Sequence, residues 1–150
     1  MKIRTATKDD LPKIVQMLAT DVLGRTRETS GDELPESYLK AFDQIDNDPN
    51  NELIVMTDEK DEVCGTLQLT FIPGLTYQGA IRAQIEAVRI HDDWRGQGLG
   101  KILMKWAIER SQKRGARIIQ LTSNKHRTDA IAFYKKLGFN DSHEGMKIVL

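Results

Sequence analysis

The run Arg95-Gly96-Gln97-Gly98-Leu99-Gly100-Lys101 has the composition of an anion-binding turn. It stands between a strand-like segment at residues 85–90 and the clearest amphipathic stretch of the chain. Glycine carries no Cβ, so backbone N–H groups can approach an anion closely. The free amides and positive dipole end of a following helix favour negative charge by roughly 0.3–1 kcal/mol per interaction. A diphosphate is the natural ligand. Two phosphate loops do not fit. A Walker loop requires Ser or Thr after Gly-Lys, whereas Gly100-Lys101 precedes Ile102 and the position five before Gly100 is Arg95. The dinucleotide pattern G-x-G-x-x-G also fails: read from Gly96 its third glycine comes one residue early, and read from Gly98 it is Leu103.

The pattern that fits is R-x-x-G-x-G, met by Arg95, Gly98 and Gly100. Farther on, Asn124 follows a short apolar segment, and then comes Phe133-Tyr134-Lys135-Lys136-Leu137-Gly138-Phe139. On these residues the chain resembles the GNAT superfamily of acetyl-CoA-dependent N-acetyltransferases, whose members carry a similar F-Y-x-x-x-G-F segment. The resemblance covers essentially the full chain. One departure is Asp92, where many members have proline.

The resemblance implies acetyl-CoA as the cofactor, lying between splayed strands at residues 86–90 and 118–122. Backbone groups of Val88 and Ile90, with Arg89 between them, then pair with the pantetheine arm much as an added strand would. The amides of Gly96, Gln97, Gly98, Leu99, Gly100 and Lys101 hold the pyrophosphate, in the motif that Arg95 opens. Asn124 contacts the pantetheine or the region of the incoming amine. Phe133 packs on the cofactor, in the core, or both.

Acyl transfer from a thioester needs a neutral amine, a polarised carbonyl and a protonated leaving thiolate. The resemblance makes Tyr134 the acid that protonates the coenzyme A sulfur; its unperturbed pKa is about 10. The Val88 amide would steady the oxyanion. Glu86 is the candidate base. Between residues 80 and 90 the odd positions Ile81, Ala83, Ile85 and Ala87 are apolar, while Arg82, Gln84 and Glu86 are polar and lead to Val88 and Ile90. Alternation thus predicts one face against a helix and one polar stripe toward the acetyl site, where a half-buried Glu86 carboxylate would accept a proton. An Arg82–Glu86 salt link is the plainer alternative. His91, His126 and His143 have no metal-ligand spacing, and no metal is expected. Lys125 and Arg127 are candidates for meeting the cofactor's phosphates or an acidic substrate, and Arg25 and Arg27 for reading a substrate carboxylate or phosphonate.

Positioning these residues requires an ordered set of elements. A short strand at residues 3–6 precedes a helix with Leu11, Ile14, Val15 and Leu18 on one stripe, capped by Asp9 or Asp10. Residues 22–35 read as a loop and 36–45 as a weaker helix. Strands are predicted at 53–57, 63–71 and 80–90. A helix follows with Leu99, Ile102, Leu103, Trp106 and Ala107 on one stripe, ended by Gly115. A strand at 118–122, a helix at 128–137 and a last strand at 146–149 complete the order. The order predicts an α/β fold, a mixed sheet covered by helices. The resemblance narrows this to a GNAT-like, mostly antiparallel sheet with splayed central strands and about four helices, in one domain over residues 1–150.

The 150 residues carry 22 basic and 22 acidic side chains, so the chain is neutral overall and nucleic acid or an anionic membrane is not an expected partner. Segregation hides behind the sum: residues 28–62 hold twelve acidic and two basic side chains, and residues 82–136 hold thirteen basic and five acidic. The single cysteine, Cys64, excludes an internal disulfide and lies in an apolar run. No apolar stretch approaches a membrane span and no signal-peptide core is evident, so a cytoplasmic location is expected. The expected acceptor is a primary amine on a small molecule, amino-acid-like or polyamine-like. Peptide or protein N-acetylation and a non-catalytic acyl-CoA sensor are the alternatives. The resemblance also implies that two copies can pair as a homodimer through late strands or helices.

Overall fold

The computed structural model describes residues 1–20, 24–31 and 33–150; Val22, Leu23 and Asp32 of the anticipated loop lie outside them. The elements are β1 (Lys2–Thr5), α1 (Leu11–Ala19), α2 (Glu36–Asn47), β2 (Asn51–Thr57), β3 (Val63–Pro73), β4 (Ile81–Ile90), α3 (Leu99–Lys113), β5 (Ala116–Leu121) and α4 (Thr128–Lys136). A helical turn at Thr76–Gly79 joins β3 to β4, with Tyr77 and Gln78 at φ 52 and 60. The five strands form one sheet in the order β1-β2-β3-β4-β5, antiparallel except for the parallel pair β4–β5 that the α3 crossover connects.

Alternation along β2 divides the core. Ile54 and Met56 join Leu67, Leu69 and Phe71 of β3, Ala83 and Ile85 of β4, and Leu99, Leu103, Met104 and Ala107 of α3. Leu53 and Val55 face the other way, against Ile14 and Met17 of α1 and Phe42 of α2. Burying each large apolar side chain stabilises the fold by about 1.5–3 kcal/mol, so the two helical layers are held from opposite faces. Cys64 is buried, with its Sγ 3.2 Å from the Met56 carbonyl, and burial pushes the thiol pKa up. Glu52 fixes the far end of α3: its carboxylate accepts from Arg110 at 2.7 Å and from Arg114 at 3.2 Å. Among the described residues no helix is long and apolar enough to cross a membrane.

Two expectations are corrected. The start of α1 is not closed by Asp9 or Asp10 acting alone. Thr7 opens a short turn at Lys8–Asp10, and the Asp10 carboxylate reaches back to accept from the Thr7 N–H at 2.6 Å. The predicted strand at 146–149 is absent: the chain beyond α4 makes no ladder, and residues 140–150 are exposed. Apolar composition alone suggested a strand there, but a strand exists only where it finds a partner edge.

Asp10 gives a pH signature. Burial would raise its carboxyl, but hydrogen bonds from Arg4 at 2.7 and 3.0 Å and from Thr7 outweigh burial and hold it below the usual range. A carboxyl lowered by folding stabilises above its unfolded pKa of about 3.9, and that stabilisation is lost as pH falls through the folded value. Asp10→Asn is therefore expected to cost about 1–2 kcal/mol at neutral pH. Its Tm should also fall less steeply than that of the parent below about pH 4, as thermal melts at a series of pH values would record.

Candidate active site

Parallel pairing between β4 and β5 runs from Ile81 opposite Ala116 to Ile85 opposite Leu121 and stops there. Among the described residues no strand continues the pairing on that side of residues 86–90 of β4, which opens a cleft between the two strands. On the other side, Glu86 pairs with Gln68 and Arg89 with Thr66, so β4 holds one residue more than β3 across this interval. The extra residue is a β-bulge, and Ala87 takes it up at φ 54. Gly65 makes the close approach possible: a Cβ there would stand 2.8 Å from Ile90 Cδ1.

The bulge changes the phase of the strand. Plain alternation would keep Glu86, Val88 and Ile90 on one stripe. Instead Val88 and Ile90 pack on the same core cluster as Ala83 and Ile85, while Glu86 lies exposed on the opposite face. Glu86 is therefore not half-buried as anticipated, and it makes no ion pair with Arg82 among the described residues. The face away from α3 is polar. Gln120 Nε2 donates to Gln84 Oε1 at 2.7 Å across β4–β5, and Thr70 and Gln68 both donate to Asn51 Oδ1.

After β4 the chain makes a tight turn at Asp92–Trp94 and enters α3 through Gly98. Arg95 braces this turn rather than reaching outward: its guanidinium pairs with Asp92 at 2.8 Å, and its Nε donates to the Ile90 carbonyl at 3.3 Å. Gly98 takes φ 77, a conformation costing other residues roughly 1–2 kcal/mol. Its carbonyl accepts from the Lys101 and Ile102 amides. The amides of Gly96, Gln97, Gly98, Leu99 and Gly100 find no acceptor among the described residues. They form a row of free donors at the positive end of α3. Lys101 is exposed beside them.

α4 closes over this row. A Cβ on Gly100 would lie 3.6 Å from the Phe133 ring and 3.8 Å from Ile90, so the ring sits at the first turn of α3 and the end of β4. Phe133 meets Tyr134 edge-on at 5.3 Å, and Tyr134 meets Phe139 at 6.1 Å. The Tyr134 hydroxyl has no hydrogen-bond partner among the described residues. Burial raises its pKa above 10, against the opposing fields of Arg127 and Arg89. Asn124 is turned on its own loop, its Oδ1 accepting from the His126 amide at 2.9 Å. Lys125 is paired with Glu144 at 2.8 Å, while Arg25 and Arg27 lie exposed on the turn after Gly24. Sequence reading missed Lys13, whose Nζ lies 3.1 Å from His91 Nε2 and ties α1 to the glycine turn. Seventy-eight positions separate the two, and no local signal links them.

The site thus offers free amides for a polyanion, an open strand edge for an extended amide-bearing chain, and an unengaged phenol next to Phe133 on α4. Residues 18–139 match the Acetyltransferase (GNAT) family. The chain belongs to that family. The crystal structure of a transcriptional regulator from Bacillus halodurans C-125 is 54% identical, with a TM-score of 0.96 over 99% of both chains. An uncharacterized N-acetyltransferase, MJ1207, of Methanocaldococcus jannaschii is 42% identical over 39% of this chain, a match spanning 26% of that protein's length. Peptidyl-lysine N-acetyltransferase YjaB of Salmonella typhimurium is 28% identical over 77% of this chain and 70% of its own. A GNAT fold accounts for the mixed sheet and for the parallel strands that part at its middle.

Proposed function

We propose that this GNAT protein moves acetyl from acetyl-CoA to the primary amine of a small amino-acid-like or polyamine-like molecule by direct attack in a ternary complex. The observation that carries the reading is the row of amides at 96–100 with no acceptor among the described residues, covered by Phe133, whose neighbour on α4 is a phenol with no hydrogen-bond partner among those residues. These residues fit the cofactor. Gly96, Gln97, Gly98, Leu99 and Gly100 would hold the diphosphate through their amides, with Lys101 adding charge. The open edge at Val88, Arg89 and Ile90 would take the pantetheine amides. Phe133 would cover the cofactor from α4, and Asn124, whose Oδ1 is held by the His126 amide, would offer its Nδ2 to it.

The polar face carrying Gln84, Gln120 and Glu86 would receive the amine. Glu86, exposed where the β4–β5 ladder ends, would take the ammonium proton through water. The neutral nitrogen would attack the thioester carbonyl, with the Val88 amide placed to meet the developing oxyanion. Tyr134 would give its proton to the sulfur as the C–S bond breaks, and would regain one, through water, from the nitrogen that has become the amide. The acidic segment at 28–62 would favour a cationic acceptor electrostatically.

A colorimetric assay of thiol release over a panel of amines tests this reading directly. Turnover is expected on small primary amines. Release only with peptides would shift the acceptor to protein, as for the Salmonella relative that acts on peptidyl-lysine. Tight acetyl-CoA binding without turnover on any amine would favour a sensor, a reading the 54% identical transcriptional regulator keeps open. Glu86→Gln is expected to slow turnover at pH 7 by about 10²-fold. The deficit should narrow at high pH, where the amine is already neutral. Equal rates at pH 7 would remove Glu86 from the mechanism.

A further inference from the structure

A row of polar side chains crosses the sheet on the face away from α3. Register places Asn51 of β2 opposite Thr70 of β3, Thr70 opposite Gln84 of β4, and Gln84 opposite Gln120 of β5. Gln68, two residues before Thr70 on the same face, stands directly opposite Glu86. Side chains paired in this way have Cβ atoms about 4.5–5.5 Å apart. Gln68 and Glu86 are therefore neighbours where the β4–β5 ladder ends.

The direction of this row is set at Asp48, just past α2. Its carboxylate accepts from the Asn50 N–H at 2.9 Å and from Asn51 Nδ2 at 2.7 Å. A carboxylate can only accept, so Asn51 turns its Nδ2 to Asp48 and its Oδ1 to β3. There Oδ1 receives Thr70 Oγ1 at 2.7 Å and Gln68 Nε2 at 3.2 Å. With its nitrogen on an oxygen that has no proton to give, the Gln68 amide is held one way round. Its Oε1 has no donor among the described residues and is not sealed within the protein.

We propose that Gln68 Oε1, beside Glu86, is the subsite for the acceptor's ammonium group, and that Asp48 and Asn51 are positioning residues that keep this oxygen turned to it. The inference rests on the acetyl-transfer reading and deepens it: the acceptor arrives as an alkylammonium ion, which has only protons to offer. One N–H goes to Gln68 Oε1, and another faces the water through which Glu86 takes a proton. The nitrogen keeps the first bond after deprotonation, so it stays in place as its lone pair appears. An amide turned the other way would aim two N–H groups at a cation and repel it.

Steady-state kinetics test it, with propylamine, 1,3-diaminopropane and β-alanine each varied at saturating acetyl-CoA. Gln68→Met keeps the length of the side chain and removes the oxygen. It is expected to raise KM for the amine about tenfold, the worth of a hydrogen bond to a charged group. KM for acetyl-CoA should not move, nor should the thermal melt, since Thr70 still satisfies Asn51 Oδ1. Asn51→Leu should raise the amine KM as well, because it frees Gln68 to turn. Asn51→Asp still accepts from Gln68 but no longer donates to Asp48. Its melt should fall while its amine KM stays at or below the parent's, a split that a purely structural role for Asn51 does not give. A parental amine KM in Gln68→Met would overturn the subsite and leave acetyl transfer standing. An amine KM raised equally in Asn51→Asp and Asn51→Leu would overturn the positioning role. A parent that turns over no amine at all would overturn the acetyl-transfer reading and the subsite together.

Discussion

Replacing Tyr134 with phenylalanine is expected to lower kcat by 10²-fold or more, roughly the worth of a positioned acid, while acetyl-CoA affinity changes less than about threefold. The substitution keeps the ring that Phe133 and Phe139 pack against edge-on and removes only the hydroxyl. Because that hydroxyl bonds to nothing among the described residues, its loss leaves no partner stranded, and the melt should not move. Burial lifts the phenol above its ordinary value of 10, which makes it a weak donor to bulk water. A thiolate expelled into the same desolvated spot is raised by the same burial, so the transfer stays balanced. The sign for pH follows. The phenol remains protonated through neutrality, and Tyr134 adds no descending limb to kcat below about pH 10. Stopped-flow rates and titration calorimetry on one preparation would separate the two effects. Loss of affinity with kcat retained would mean Tyr134 shapes the cofactor site and gives no proton.

Gly98→Val is expected to weaken acetyl-CoA binding by about 10–100-fold, or roughly 1.4–2.8 kcal/mol. Space is not the obstacle, since a Cβ there meets nothing within 4 Å. The obstacle is φ 77, which a β-branched residue does not hold without strain. Relaxing that strain turns the amides at 96–100 away from a common point. The loss should therefore fall on the diphosphate. Affinity for acetyl-pantetheine, which has none, should be nearly unchanged, so the parent's preference for acetyl-CoA shrinks. A variant that binds both thioesters as the parent does would put the phosphate site elsewhere.

Much of this arrangement was legible in the residues. The stripe from Leu99 to Ala107 predicted α3 because burial on one side of a helix imposes its own spacing. Gly96, Gly98 and Gly100 predicted the turn because few other residues accept its backbone. The phase of β4 beyond Glu86 was not legible. An alanine at φ 54 carries no sequence mark, and the bulge is set by β3 pairing across it at Gln68 and Thr66. Local chemistry also could not disclose the turned-back Arg95, whose partners Asp92 and Ile90 depend on the fold of the turn. Residues 146–149 failed as a strand for a related reason: their composition favours extension, but pairing is decided by the whole fold, and these residues join no ladder.

The alanine at the bulge of β4 bears on stiffness. In the left-handed region an alanine costs about 1 kcal/mol more than a glycine, yet it visits far fewer conformations when unconstrained. Here it stands at the junction between the half of β4 that the sheet clamps on both sides and the half with one free edge. A glycine would let that free half swing. With alanine, the strand edge holds its course before any ligand arrives, and an incoming chain loses little freedom in ordering it. The fold accepts a small standing strain at Ala87, and association meets a surface already in shape.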